Sequence, residues 1–205
     1  MNDFGQTDEN IRKAGMDLFL SYGFQKTSLR ELCKAAGITT GGFYRHYGDK
    51  ESLFHALVIP AITKIEALVR EGKAMGNKAI SQGKSELIWT MDGLLTEHFV
   101  QVIYSDFNCF KLLFTCAQGT RYENYIHTIA VEEAEIAETT MERLRGLGQD
   151  IRTVRLDELH VLAQAELSAM LEVVVHEFTR EKAVKYMKTI EKFYSAGWKA
   201  LYTEA

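Results

Sequence analysis

The residues of this chain best suited to contact another molecule lie between Thr39 and Lys50. The amino end of this stretch includes Gly41 and Gly42, and each glycine costs about 0.5–1 kcal/mol of helix stability relative to alanine. A helix tolerates that cost where its backbone must approach another surface closely, and phosphates and base edges are such surfaces. Lys50 places a cation in the first turn of the next predicted helix, where the helix dipole favours an acid. A phosphate partner explains that placement.

Two short predicted helices joined by a tight turn position this stretch. The first spans about residues 28–36, and Ser28 and Glu31 have the S-x-x-E spacing of a capping box at its start. Gly37 can adopt the left-handed conformation that ends a helix. The second helix follows at once and is predicted to continue to about residue 47. A turn this short forces the helices to cross steeply, which is the helix-turn-helix geometry whose second helix enters a DNA major groove.

The residues around this motif resemble the DNA-binding signature of the tetracycline-repressor (TetR) family of bacterial transcription regulators. The matching run is GFQKTSLRELCKAAGITTGGFYRHYGDKESLF. It includes G-F-x-x-T-S before the first motif helix, A-A-G-I at the turn, F-Y-R-H-Y in the second helix and D-K-E-S-L-F after it. The remainder of the chain resembles the family only in length and helical layout.

The resemblance implies which residues contact DNA. Residues at the start of the first motif helix are expected to touch the DNA backbone and a base, those at the start of the second to approach base edges, and later ones to contact phosphates. The predicted DNA-binding residues are Ser28, Arg30, Thr39, Thr40, Gly41, Gly42, Tyr44, Arg45, His46 and Lys50.

Base reading is expected to fall mainly to Thr40 and Arg45. Many family members have one small residue and a bulkier neighbour where this chain has two glycines, so the glycines themselves are weak candidates. Arg45 can read a guanine through a bidentate contact or reach a phosphate. Packing in the core of the motif is the alternative role for Tyr44 and is the expected role of Tyr47.

The charge distribution is consistent with a local nucleic-acid contact. The whole chain has a formal net charge of −4, and residues from 61 onward carry the same net charge. Between residues 26 and 50 the net charge is +3, the footprint expected where one face meets DNA. This basic patch is small, so a dimer is expected to double the phosphate contacts that supply affinity. The cations are Lys26, Arg30, Lys34, Arg45 and Lys50, and the acids are Glu31 and Asp49.

Composition predicts an all-α protein of the cytoplasm. Of the 205 residues, 46% are apolar and 25% are charged, which suits a packed core, and proline occurs only once. No apolar stretch is expected to span a membrane, and the acidic, polar start is unlike a signal peptide. Three cysteines without C-x-x-C spacing are expected to be free thiols.

Apolar spacing predicts helices along the whole chain. Pro60 is expected to break or kink the fourth helix, and the glycine-rich stretch 72–83 is predicted to be a loop. The resemblance implies a DNA-binding domain over 1–50 and a helical ligand-binding and dimerisation domain over 51–205. The predicted helices span about 8–22, 28–36, 39–47, 49–71, 84–105, 106–116, 121–144, 156–178 and 179–202.

The last two predicted helices, 156–178 and 179–202, are apolar around more than one face. One face can pack inward, and the other is expected to leave exposed apolar surface of the kind that marks an interface. The resemblance implies that these helices form a four-helix bundle with a second copy of the chain.

A small, mostly apolar effector is expected among the middle helices, because bundle pockets are lined by apolar residues with few polar groups. Each candidate can also be plain core, and Glu166 can be a solvated or interface charge. The predicted pocket residues are Trp89, Met91, His98, Phe99, Phe110, Phe114, Tyr122, Tyr125, Glu166 and Met170.

No cofactor, metal or catalytic site is expected. The sequence lacks G-x-S-x-G, a P-loop and G-x-G-x-x-G after a strand. A metal site is a weaker alternative, because its potential ligands lack H-x-x-x-H or C-x-x-C spacing. Those ligands are His98, His127, His160, His176, Cys109 and Cys116.

The sequence therefore predicts a homodimeric transcriptional regulator, a repressor released from a palindromic operator by its effector. Two alternatives stay open: a DNA-binding or assembly factor of the same fold without an effector, and a helical ligand-binding protein or enzyme whose helix-turn-helix is only structural.

Overall fold

The computed structural model describes residues 3–84, 88 and 92–203. Over these residues the chain is all-α, with nine α-helices and no β-strand. The helices are α1 Asp3–Tyr22, α2 Leu29–Ala36, α3 Thr40–Phe43, α4 Lys50–Ser81, α5 Asp92–Ser105, α6 Phe107–Thr115, α7 Tyr125–Gly146, α8 Leu156–Val175 and α9 Arg180–Thr203.

The chain packs as two compact units. The first runs to Thr63 and includes Asp106–Tyr125, and the second consists of Lys64–Ser105 and the residues from Ile126 onward. Helix α4 contributes to both, and α6 belongs to the first because it packs against α1. The functional division into 1–50 and 51–205 stays a prediction, and it differs from these packing units.

Aromatic side chains fill the core of the first unit. The rings of Phe19, Phe24 and Phe54 lie 5.4–5.6 Å apart from centroid to centroid. Gly15 of α1 faces Leu53 of α4 so closely that an added Cβ would lie 2.9 Å from the Cδ2 atom of that leucine. The missing side chain of Gly15 therefore lets α1 and α4 approach each other directly.

The core of the second unit joins α4, α7, α8 and α9. Ile80, near the end of α4, is buried in a cluster with Met141 and Leu144 of α7. Leu159 of α8 and Tyr202 of α9 belong to the same buried cluster. Each of these helices thus buries one apolar stripe, as amphipathic periodicity requires.

The prediction of a loop over 72–83 is wrong, because α4 continues without interruption to Ser81. Pro60 lies inside the same helix and does not end it. Burial of Ala79 and Ile80, and a hydrogen bond from Arg143 of α7 to Asn77, offset the intrinsic helix cost of the glycines. Tertiary packing here overrides a local sequence signal.

The starts of α1 and α7 also differ from prediction, and α1 begins at Asp3 rather than near residue 8. Helix α7 begins at Tyr125 rather than near 121, because the Thr120 side chain holds a turn by donating to the Ala117 carbonyl and accepting from the Tyr122 amide. Helix α5 is described only from Asp92, and most of its predicted start lies outside the described residues.

Helix α4 is also the one described helix long and apolar enough to suit a membrane span by composition alone. Its apolar residues have another explanation in this fold. Leu53, Phe54, Val58 and Ala61 are fully buried in the first unit. A core helix of this kind meets the same compositional test as a membrane helix.

Candidate nucleic-acid interface

Helix α2 begins with the predicted capping box. The Ser28 hydroxyl accepts from the Glu31 amide at 3.2 Å, and the Glu31 carboxylate accepts from the Ser28 amide at 3.0 Å. Gly37 ends the helix in the left-handed conformation, with a φ of 69°. Arg30, on the exposed side of this first motif helix, faces solvent.

The second motif helix, α3, is much shorter than predicted. It ends at Phe43 instead of near residue 47, and the next residues form a turn in which the His46 amide donates to the Phe43 carbonyl at 2.9 Å. Thr39 caps its start by accepting from the Gly42 amide at 3.1 Å. Two of its four residues are glycines without side chains to pack, so little besides Phe43 holds the helix in place.

Among the residues that the structure describes in the first unit, no close contact requires glycine at positions 41 and 42. An added Cβ at Gly41 would meet only the Thr39 hydroxyl, at 3.9 Å, and one at Gly42 would make ordinary contacts of 3.4 Å or more. Their backbone conformations also suit other residues, since neither has a positive φ. These glycines therefore leave bare backbone at the exposed start of α3.

Tyr44 and Tyr47 have opposite environments. Tyr44 is 56% exposed and Arg45 beside it is also exposed, so both can reach an external surface. Tyr47 is only 8% exposed, and its hydroxyl donates to the Asp8 carboxylate at 2.7 Å. The core role predicted for Tyr47 is confirmed.

Lys50 makes contacts inside the unit. Its Nζ atom donates to the carbonyl oxygens of Phe24 and Thr27, each at 2.7 Å, and lies 4.1 Å from the centroid of the Phe24 ring. Burial lowers the pKa of Lys50. These contacts explain why a cation lies in the first turn of α4 without requiring a phosphate. The contact of Lys50 with phosphate stays a prediction.

His46 is also enclosed by its own chain. Its side chain is 5% exposed and stacks on the ring of Phe4, with centroids 3.9 Å apart. Sequence reasoning missed Phe4 and Asp8, because neither belongs to the motif that carries the resemblance. The phosphate contact of His46 stays a prediction, and the residues that face solvent without such cover are Ser28, Arg30, Thr39, Thr40, Gly41, Tyr44 and Arg45.

The predicted pocket residues fall into separate groups. In the first unit, the ring centroid of Phe114 lies 6.4 Å from those of both Phe110 and Tyr125, and the ring centroids of Tyr122 and Tyr125 lie 6.2 Å apart. The second unit contains His98, Phe99, Glu166 and Met170. Trp89 and Met91 lie outside the described residues.

Polar pocket candidates have partners within the chain, among them the two in the second unit. His98 lies 3.3 Å from the Glu71 carboxylate, and Glu166 accepts a hydrogen bond from the Trp198 indole at 2.6 Å. Sequence reasoning missed a third group, Glu133 on α7. Burial raises the pKa of Glu133 to about 7, with the negative charges of Glu132 and Glu166 adding to the effect.

A half-open cleft of about 330 Å³ lies in the first unit. None of the predicted pocket residues lines it, so the effector pocket stays a prediction. The cleft is lined by Leu20, Tyr22, Gly23, Phe24, Gln25, Lys26, Thr115, Cys116 and Gln118.

The residues described contain no group of three or more potential metal ligands among histidine, cysteine, aspartate and glutamate. Of the histidines considered, His127 and His160 come together, with ring centroids 4.6 Å apart. The Nδ1 atom of His127 lies 3.3 Å from the Gln164 side chain. Cys33, Cys109 and Cys116 are thiols outside any disulfide.

Helices α8 and α9 expose large apolar side chains. Val161 on α8 is 64% exposed and Phe193 on α9 is 72% exposed. Leu156, Leu162 and Val175 are also exposed on or at the end of α8. This is the exposed apolar surface that the sequence predicts for these helices.

The amino-terminal region is similar to known regulatory proteins. The family model for bacterial regulatory proteins of the tetR family matches residues 11–57, which include α2, α3 and the start of α4. The chain is 32% identical over 93 residues to the HTH-type transcriptional regulator AcrR of Shigella flexneri, covering 45% of this chain and 43% of that protein. The chain thus matches less than half the length of this curated relative.

Two solved structures share the fold over nearly the whole chain. A transcriptional regulator from Aquifex aeolicus VF5 superposes with a TM-score of 0.58 at 20% identity, over 92% of this chain and 99% of that one. NalD of Pseudomonas aeruginosa, the secondary repressor of the MexAB-OprM multidrug efflux pump, has a TM-score of 0.57 at 17% identity over the full length of both chains. These similarities show a helix-turn-helix unit followed by a helical carboxy-terminal region.

Proposed function

Since residues 11–57 match the family model for bacterial regulatory proteins of the tetR family, we propose that this chain is a cytoplasmic, dimeric transcriptional regulator. It binds a near-palindromic operator and is released from that operator by a small effector. Repression is the proposed direction of control. The observation that carries the proposal is the exposed, bare start of α3 next to exposed Arg45 and Tyr44.

The exposed surface of the motif supports contact with DNA. Arg30 and Arg45 are exposed cations, and Thr40 lies at the uncovered start of α3. Bare backbone at a helix start can approach phosphates and base edges closely, and an arginine beside it can read a guanine. Packing against the described residues of the first unit does not explain the glycine pair, because an added Cβ at Gly41 or Gly42 would meet only ordinary contacts.

The exposed apolar residues of α8 and α9 support a dimer through 156–178 and 179–202. Water-exposed apolar surface of this extent is commonly covered by a partner. A second copy would supply a second recognition helix, and two-fold symmetric proteins bind half-sites in successive major grooves. A symmetric operator follows from a symmetric protein.

A mostly apolar effector fits the aromatic composition of the predicted pocket residues. An effector that binds more tightly to one spacing of the recognition helices would lower operator affinity by that difference. Glu166, whose Oε2 atom accepts from the Trp198 indole, is the carboxylate among the predicted pocket residues that can accept a hydrogen bond from such an effector. A filled core without room for a ligand would favour the effector-free alternative instead.

The proposal is tested by selecting genomic fragments with the purified protein and titrating the best fragment with salt. We expect a short inverted repeat, bound with nanomolar affinity that falls steeply as salt rises. Weak binding without sequence preference would overturn the proposal.

Substitution of Arg45 separates base reading from phosphate contact. If Arg45 reads a base, Arg45→Ala should weaken binding to the selected fragment by roughly 5- to 150-fold and relax preference at one base pair. If it contacts only phosphate, all sequences should weaken equally and the salt slope should fall by about 1. Arg70→Ala, which removes another exposed arginine on α4, is the control. Unchanged DNA binding by Arg45→Ala would favour a purely structural helix-turn-helix.

A further inference from the structure

The segment that would read DNA is poorly fixed by its own helix. Helix α3 has four residues, two of which are glycines, and only Phe43 is buried. Tyr44 and Arg45 follow it in a turn and point away from the core. On the α3 side, Tyr44 contacts the Phe43 ring, with centroids 5.8 Å apart, and the Arg45 amide donates to the Gly42 carbonyl. On the other side, the orientation of these two side chains depends on contacts made by the residues just after them, His46 and Tyr47.

One carboxylate on α1 meets both of those residues. The Oδ1 atom of Asp8 accepts from the Tyr47 hydroxyl at 2.7 Å and lies 3.7 Å from Nδ1 of His46. Its Oδ2 atom accepts from the Arg12 guanidinium at 2.8 Å. Arg12 also donates to the Ala56 carbonyl of α4 at 3.2 Å, so the chain of contacts joins three elements.

The hydrogen bond between Tyr47 and Asp8 is partly buried, which makes a hydrogen bond to a charged group more effective. The contact between Asp8 and Arg12 is more open, because these side chains are 30% and 44% exposed. Tyr47 is 8% exposed, and the Phe4 ring covers His46. Burial alone would raise the pKa of Asp8, but the hydrogen bonds from Tyr47 and Arg12 bring it below its ordinary value. Asp8 is therefore ionised at neutral pH and holds both donors.

We infer that Asp8 is a positioning residue for DNA reading, which fixes Tyr44 and Arg45 through His46 and Tyr47 without touching DNA itself. This inference rests on the proposed function. Its consequence is specific: loss of the Asp8–Tyr47 hydrogen bond should lower discrimination between DNA sequences more than it lowers general affinity for DNA. General affinity for DNA depends on exposed cations, and these remain in place when the hydrogen bond is lost.

The smallest test removes one oxygen atom, by Tyr47→Phe. Hydrogen exchange in the free protein should become about tenfold faster at the Arg45, His46 and Tyr47 amides, because a lost hydrogen bond to a charged group is worth about a factor of ten or more. Exchange at the Cys116 amide, bonded to the Leu112 carbonyl of α6 in the same unit, should stay the same.

Binding is then compared between the fragment selected by the wild-type protein and a scrambled duplex of equal length. Tyr47→Phe should lower the ratio of the two affinities about tenfold and leave the salt slope unchanged. Tyr104→Phe is the matched control, because it also removes a tyrosine hydroxyl that donates a hydrogen bond, here to the Phe178 carbonyl in the other unit rather than to Asp8. Asp8→Ala alone should have the same effect as Asp8→Ala combined with Tyr47→Phe, because without the carboxylate the Tyr47 hydroxyl has already lost this hydrogen bond.

Equal weakening on both duplexes, together with faster exchange throughout the first unit, would show that Tyr47 and Asp8 only stabilise the fold and would overturn the inference. Unchanged exchange at Arg45 and Tyr47 would overturn it as well, whatever the DNA result. If the wild-type protein prefers no fragment, the proposed function fails, and local exchange alone then decides whether Asp8 positions the segment.

Discussion

At the scale of single residues, burial and hydrogen-bonding partners determine whether an ionisable side chain favours its charged or its neutral form. Lys50 donates to two loop carbonyls, Asp8 accepts from Tyr47 and Arg12, and Glu133 is a half-buried carboxyl on α7 beside other acids. The first two have hydrogen-bonding partners that favour their charged forms. Glu133 instead gains by keeping its proton, because desolvation and neighbouring acids oppose its charge.

Glu133 predicts a pH dependence of stability. Its pKa in the fold, about 7, lies above the ordinary value of 4.5, so the folded protein holds this proton more tightly than the unfolded chain. The resulting stability is complete below pH 4.5 and is lost as the pH rises through 7. Glu133→Gln should therefore raise the free energy of unfolding at pH 8 by roughly 1–3 kcal/mol and change it little near pH 5.

Urea unfolding from pH 5 to 8 measures this effect. Glu135→Gln, at an exposed position of the same helix, is the control and should leave the wild-type pH profile unchanged. If Glu133→Gln and wild type gave parallel profiles, the buried carboxyl would not hold its proton as described.

At the scale of elements, the glycines within helices differ in what surrounds them. Gly15 on α1 lies against Leu53 and Leu57 of α4, whereas nothing lies within 4 Å of a Cβ added at Gly72 or Gly76. The first glycine permits close helix packing, and the other two carry only the entropic cost of glycine in a helix.

Alanine substitutions should therefore have opposite effects at these sites. Gly15→Ala should lower the free energy of unfolding by roughly 1–3 kcal/mol, because the added methyl group would lie 2.9 Å from the Cδ2 atom of fully buried Leu53, which would have to shift. Gly72→Ala should raise it by about 0.5–1 kcal/mol. Thermal unfolding of both variants checks the pair, and stabilisation by Gly15→Ala would contradict the close approach of α1 and α4.

At the scale of the whole molecule, the proposed activity depends on a second copy. The exposed apolar residues of α8 and α9 provide a surface for it, and the small basic patch of one chain provides few phosphate contacts. Doubling those contacts steepens the salt dependence and raises affinity. Association and operator binding should therefore fail together.

Val161→Asp should prevent dimer formation, because it would bury a charge in the proposed interface. Sedimentation of the wild type is expected to show a dimer, and that of the variant a monomer with at least tenfold weaker operator binding. Val131→Asp, at an exposed valine on α7, is the control and should remain a dimer. A dimeric Val161→Asp protein would place the interface elsewhere.

The sequence alone determined the all-α class, the helix-turn-helix and the caps of α2, because their signals lie within a few neighbouring residues. Ser28 and Glu31 complete a capping box, and Gly37 ends the helix, through local backbone geometry. The core role of Tyr47 also followed from the sequence. The sequence did not determine which of the predicted DNA-binding residues are exposed and which are covered by their own chain. It also did not determine which residues line an effector pocket.

Only the tertiary structure decided which residues hold the motif and where helices end. Tyr47 is 39 residues from its partner Asp8 in sequence, and no local pattern marks that pair. Lys50 is similarly separated from the carbonyls that it contacts. The glycine-rich end of α4 is helical because Ile80 is buried against α7, a contact between distant segments that outweighs the local preference for a loop.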